Sequence, residues 1–180
     1  MKRLAVVIAA AAALGRPAPL EAVLVIPMTF EQLVDEAEAV VYARVVDVRG
    51  QWTADRQGID SIVTAEALRY LKGEFGPRVV LRLPGGEAGG RIQVIPGAPV
   101  LREGDLVVLF LDARGPALPT LLGLSQGVFR VAPDAASGRM LVAAPALKAS
   151  PAGSAIRRAA ARGRLSIDGL GAAVQEARAR

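Results

Sequence analysis

The chain has no cysteine and no histidine. The first absence excludes disulfide scaffolds, thiolate nucleophiles and a lipid anchor attached through an N-terminal thiol. The two together exclude ordinary zinc sites and any catalytic triad with an imidazole base. Asparagine is missing as well, so no N-glycosylation sequon exists. Aromatic residues are few, with one Trp, two Tyr and four Phe, too sparse for the row of stacking rings that single-stranded nucleic acid requires. No apolar run approaches the roughly 20 residues of a membrane span. The run Leu4 to Leu14 is ended by Gly15-Arg16-Pro17. The mature chain is therefore expected to have no membrane span.

What is present suits one globular domain: 180 residues, 52% of them hydrophobic. The net charge of +5 and the sequence pI near 10.4 invite a nucleic-acid reading until the charge is located. Residues 148–180 carry seven basic and two acidic groups, whereas residues 23–147 carry 12 basic and 14 acidic ones. The positive charge belongs to the ends, and the body offers no continuous basic surface for phosphates. No nucleic-acid partner is expected for it.

Met1-Lys2-Arg3 followed by the apolar run Leu4 to Leu14 has the form of a secretory signal peptide. Residues 1–22 are assigned to it, with cleavage after Ala22; the alternative is an uncleaved anchor. Export to the periplasm or the extracellular space makes the lack of cysteine informative, because the domain must then be held by its core.

Thr29 and Gln32 have the spacing of a capping box, and Phe30, Leu33, Val34 and Ala37 give the short helix that follows an apolar stripe. Beyond it lie β-rich runs at about 39–48 and 61–70, separated by the polar turn Thr53 to Gly58. The run 78–83 alternates cleanly, with Val79, Leu81 and Leu83 on one side and Arg78, Val80 and Arg82 on the other. Pro84-Gly85-Gly86 stops it, and the run 91–95 is expected to return and pair with it antiparallel. Leu106 to Leu111 is continuously apolar, as for a strand buried on both faces. Runs at 121–124, 128–131 and 140–143 complete the set. Short strands with turn signals between them predict a barrel or sandwich, not βαβ units. Residues 23–147 form this domain. Residues 148–165, rich in Ala, Arg, Ser and Gly, are expected to be a linker or a frayed helix, and 166–180 a C-terminal helix capped by Ser166.

Each candidate for chemistry has a plainer explanation beside it. The glycine loop Pro84 to Gly90 lacks the following helix and the Lys-Ser/Thr pair of a phosphate loop, so a hairpin connection is the better account. Gly169-Leu170-Gly171 fails on the same ground. Ser125-Gln126-Gly127 lacks the frame of a nucleophile elbow. The carboxylates Asp55, Asp60, Glu66, Glu87, Glu103 and Asp105 could serve a glycan hydrolase only if two of them face each other across a cleft; turn acids ordinarily serve turn chemistry. No catalytic residue, cofactor site or metal site is assigned. Trp52, where a strand meets a polar loop, either anchors a partner or closes one end of the core.

Pro27-Met28-Thr29-Phe30-Glu31-Gln32-Leu33-Val34 opens a longer pattern. It continues through Leu71-Lys72-Gly73, Pro84-Gly85-Gly86, Gly104-Asp105 before Leu109-Phe110-Leu111, and Gln126-Gly127-Val128-Phe129-Arg130-Val131. Over about 27–143 the chain resembles a family of exported bacterial proteins of unknown function. The resemblance implies an OB-like or netrin-module-like β-barrel; with the residue pattern above, the expected fold is a small antiparallel β-barrel with a short N-terminal helix and a C-terminal helix on a flexible linker. The resemblance also implies an accessory or inhibitor-like role, since some members are encoded near secreted metalloproteases. It brings no catalytic residues. The expected function is a non-catalytic binding module for a secreted protein or an envelope component, with Trp52, Gly85, Gly86 and Gln126 as candidate partner-binding residues. The alternative is the carboxylate-dependent secreted hydrolase.

Overall fold

A computed structural model of the protein describes residues 26–114, 117–163 and 165–179. The expected signal peptide and its cleavage site lie outside these residues.

The capping box forms as its spacing predicts. The Thr29 hydroxyl accepts from the Gln32 amide at 3.1 Å, and the Gln32 side chain accepts from the Thr29 amide at 2.9 Å. They start α1 (Phe30–Glu36), which buries Phe30, Leu33 and Val34. Two long strands follow, β1 (Ala39–Trp52) and β2 (Ile59–Lys72), joined by the polar turn and paired antiparallel. Register shifts near Val40, Tyr42 and Val45 mark irregularities that bend the pair.

The remaining strands are β3 (Arg78–Pro84), β4 (Gly86–Ala88), β5 (Arg91–Gln93), β6 (Leu106–Asp112), β7 (Thr120–Leu121), β8 (Val128–Pro133) and β9 (Met140–Ala143). A 3-10 turn at Leu124–Gly127 lies where the run 121–124 was expected to continue as a strand. Seven strands form a mixed sheet in the order β1-β2-β3-β7-β6-β8-β9, and β1 also pairs with β6. The pairings thus run from β1 through β2, β3, β7 and β6 back to β1. All are antiparallel except β3 with β7, which meet in parallel at Arg82 and Thr120. That one pairing departs from the all-antiparallel expectation. The chain reaches β7 from the far end of β6, so β7 necessarily runs alongside β3 in the same direction.

The expected pairing of the 78–83 run with the 91–95 run does not form. β3 is already flanked by β2 and β7. Gly85 and Gly86, both at positive φ, turn the chain away so that β4 pairs with β5 in a separate two-stranded sheet. The Gly89-Gly90 turn between them has positive φ at both residues, which fits a two-residue hairpin of the primed type.

Two apolar clusters hold the strands. Val41, Ala43, Val45, Val63, Leu81 and Leu109 belong to one, drawn mainly from strand residues. Val40, Val108, Phe110 and Phe129 belong to the other, between the sheet and the helices. β6 serves both, with Val107, Leu109 and Leu111 on one face and Val108 and Phe110 on the other, as its unbroken apolar run predicts.

Within 148–165, residues Pro151–Ala161 form a helix, α2, with Ser150 as its cap and Ile156 buried. The linker alternative fails because Ser150, Pro151 and a run of alanines are good helix chemistry and one large apolar residue suffices to dock it. The last helix, α3 (Ile167–Arg178), is capped by Ser166 as expected and buries Leu170 and Val174. Its Gly171 sits against β2, where a Cβ would come within 3.4 Å of Leu71. Among the described residues no helix is long and apolar enough to cross a membrane.

Candidate functional site

The β4–β5 hairpin is fastened across the far end of the β1–β2 pair. The Gly85 amide donates to the Ile59 carbonyl at 2.7 Å, and the Ser61 hydroxyl donates to the Gly85 carbonyl, also at 2.7 Å. The Ile59 amide donates to Oε1 of Gln93 at 2.5 Å. Gly50 has no side chain where the Glu87 carbonyl crosses it, and a Cβ on Gly86 would strike the Ser61 hydroxyl. The glycines of this loop therefore serve close packing of backbone on backbone.

Between this hairpin, the 94–101 loop and the strand ends lies a cavity of about 630 Å³, within the range of small-ligand sites. Val63, Leu83 and Leu101 form its floor and are members of the same apolar cluster as Val41 and Leu109. Its rim is apolar yet exposed: Ile92 is 72% accessible, Val94 80% and Val100 65%. Large apolar groups so exposed, and gathered at a concavity, mark recognition surfaces. Ile92 lies on β5 and Val94 just beyond its end.

Gly85 and Gly86 both line this cavity. Trp52 stands beside it, half-buried, with Gly89 next to its indole Nε1 and the Arg91 guanidinium 5.8 Å from the ring centroid. Gln126 is placed elsewhere. It is 6% exposed, its Oε1 accepts from the Met28 amide at 2.8 Å, and its Nε2 donates to the Ile26 carbonyl at 3.1 Å. Its amide group is engaged in holding the segment before α1 against the 3-10 turn. The rim residues Ile92, Val94 and Val100 were not legible as a site. The alternation at 91–95 signals a strand, but nothing in it says which face lacks a cover.

The six carboxylates do not assemble. Asp55 accepts from the Thr53 hydroxyl and the Gln57 amide, and the Thr53 bond above all holds its pKa below the usual range. Asp60 lies 3.8 Å from Arg82, and Asp105 pairs with Arg130 at 2.9 Å. Glu66 and Glu103 are exposed on a strand and a turn. Of the six, only Glu87 lines the cavity. Among the described residues no group of three or more acidic side chains is placed to hold a metal. Neither a family model, nor a curated protein, nor a solved structure matches the chain.

Proposed function

We propose that this protein is exported and works in the periplasm or outside the cell as a non-catalytic binding or accessory module, its ligand a secreted protein or an envelope component. The observation that carries this proposal is the cavity with its water-exposed apolar rim at Ile92, Val94 and Val100. The circuit of pairings from β1 through β2, β3, β7 and β6 back to β1 supports treating the strands as a small barrel, OB-like as the sequence motifs imply. The cavity then lies at its mouth, a usual place for ligands. Lys2-Arg3 before the apolar run Leu4 to Leu14 supports export with cleavage after Ala22. A carboxylate-dependent hydrolase needs two facing carboxylates; the single Glu87 gives that alternative no support.

The test uses the mature chain, beginning at Val23, as bait against the secretome and envelope extract of its own cell. A component captured by the native chain and lost with Val94→Lys is the expected result. Capture that ignores this change, or polysaccharide hydrolysis abolished by Glu87→Gln, would overturn the proposal. N-terminal sequencing of the native protein addresses export separately: Val23 is expected first, and an intact Met1 on cytosolic material would refute it.

A further inference from the structure

The cavity's lining carries a chemical preference. Its floor and rim are apolar, and among the described residues Glu87 is the one ionisable residue that lines it. Glu87 lies on β4, whose backbone is pressed against Gly50, so the carboxylate projects from a fixed strand rather than from a free loop. The cations nearest in sequence are engaged elsewhere. Arg49 pairs with Asp47 at 2.9 Å, and Arg91 lies over the Trp52 ring; neither lines the cavity. The polar groups Ser61 and Gln93 are bonded to the backbone of Gly85 and Ile59. Arg130, which donates to the carbonyl of the rim residue Val100 at 2.6 Å, is paired with Asp105 at 2.9 Å, so among the described residues an anionic head at Glu87 would meet a carboxylate and no lining cation. A protein partner would have to cover on the order of 800 Å² of each surface, far more than a rim of three side chains provides.

We propose that the cavity takes a small amphipathic cation, its apolar chain or ring lying on Ile92, Val94 and Val100 and its ammonium-type head at Glu87. This rests on the binding-module function proposed above and chooses its envelope-component branch. The apolar part supplies the affinity, by burying side chains that now face water. The carboxylate supplies the sign selectivity, since like charge at this distance repels.

The mature chain is titrated with dodecyltrimethylammonium, dodecyl sulfate and dodecyl maltoside, each below its critical micelle concentration. Binding is read by calorimetry and by the emission of Trp52, the only tryptophan, which abuts the hairpin. Dodecyltrimethylammonium is expected to saturate one site, shift the Trp52 emission, and bind at least about tenfold more tightly than dodecyl sulfate. Glu87→Gln should remove that preference while leaving binding of the uncharged maltoside intact. Val94→Lys should weaken the cation by about tenfold or more. Both positions are exposed, and circular dichroism checks that both variants fold. Equal affinity for dodecyl sulfate, no saturable binding, or an unchanged preference in Glu87→Gln would overturn the proposal. If none of the three probes binds, yet the native chain captures a protein that Val94→Lys loses, the ligand class is refuted while the binding-module function stands.

Discussion

A Cβ on Gly50 would lie 1.8 Å from the carbonyl oxygen of Glu87. The β4–β5 hairpin is laid on β1 backbone against backbone, and this contact fixes its position together with the Gly85, Ser61 and Gln93 bonds to β2. Gly50→Ala cannot be absorbed by a rotamer change, so the hairpin must lift. We expect a loss of about 1–3 kcal/mol, the usual range for overpacking, with a red shift of Trp52 emission as Gly89 leaves the indole. Gly90→Ala is the control, since nothing lies within 4 Å of its Cβ but its φ is +73°. It should cost only left-handed strain, about 1–2 kcal/mol, and leave the emission unchanged.

Gln126 joins two segments far apart in sequence by presenting one acceptor and one donor to the backbone at Met28 and Ile26. Gln126→Leu removes both and leaves the Met28 amide without its partner, for an expected loss of about 1–3 kcal/mol. Gln126→Glu keeps an acceptor for the Met28 amide but buries a carboxylate against the Ile26 and Gly123 carbonyls, so its loss should be at least as large. Denaturant midpoints measure both. Limited proteolysis should show new cleavage just before α1 in the leucine variant.

Glu31 stands where the starts of α1 and α2 meet, near the Ser150 hydroxyl and the Ala152 amide. Burial pushes its pKa up, but the Ser150 hydroxyl, the Thr29 hydroxyl and the amides of Glu31 and Ala152 together hold it below the ordinary value. Among the described residues its Oε2 has no hydrogen-bond partner. A folded-state pKa below the unfolded one means that the carboxylate contributes stability above the unfolded value. That contribution disappears as the pH falls through the folded value. Urea midpoints taken between about pH 6 and about pH 3 should decline less steeply for Glu31→Gln than for the native chain. Equal slopes would show that Glu31 contributes nothing to acid sensitivity.

Features written locally were legible in the sequence. The Thr29–Gln32 capping box, the inward set Val79, Leu81 and Leu83, and the doubly buried β6 each follow from spacing within a few residues. What depends on distant partners was not. The 78–83 run pairs with β2 and not with 91–93, because Gly85 and Gly86 redirect the chain, and glycine permits many directions without naming one. α2 was obscured because its docking rests on Ile156 and a buried glycine amid alanines and arginines. The cavity was hidden for a further reason: it is formed by a missing cover over Ile92, Val94 and Val100, and a strand's alternation reads the same with or without one. Gly85 and Gly86 line the cavity and Trp52 stands beside it, while Gln126 holds the segment before α1.

The basic C-terminal region provides the last prediction. Arg157, Arg158 and Arg162 are exposed on or just beyond α2, while Ile156 points into the core. Asp168, one of the two acids of the region, is bonded to Arg69 of β2. Polyanion binding should therefore reside on the arginines of α2 and not on the strands, whose segment 23–147 has more acids than bases. Cutting the chain at Ala146 does not test this cleanly. It removes Ile156, Leu165, Leu170 and Val174 from the cluster that covers Phe30, Phe110 and Phe129, and the product should aggregate. Replacing Arg157, Arg158 and Arg162 together with Gln keeps that cluster intact. In a fluorescence titration with mixed-sequence duplex DNA, the native mature chain should bind weakly at about 0.05 M salt and lose most of that affinity by about 0.2 M. The triple variant should bind measurably less at the lower salt. Tight binding by the triple variant that persists at the higher salt would instead place a phosphate-binding surface on the strands.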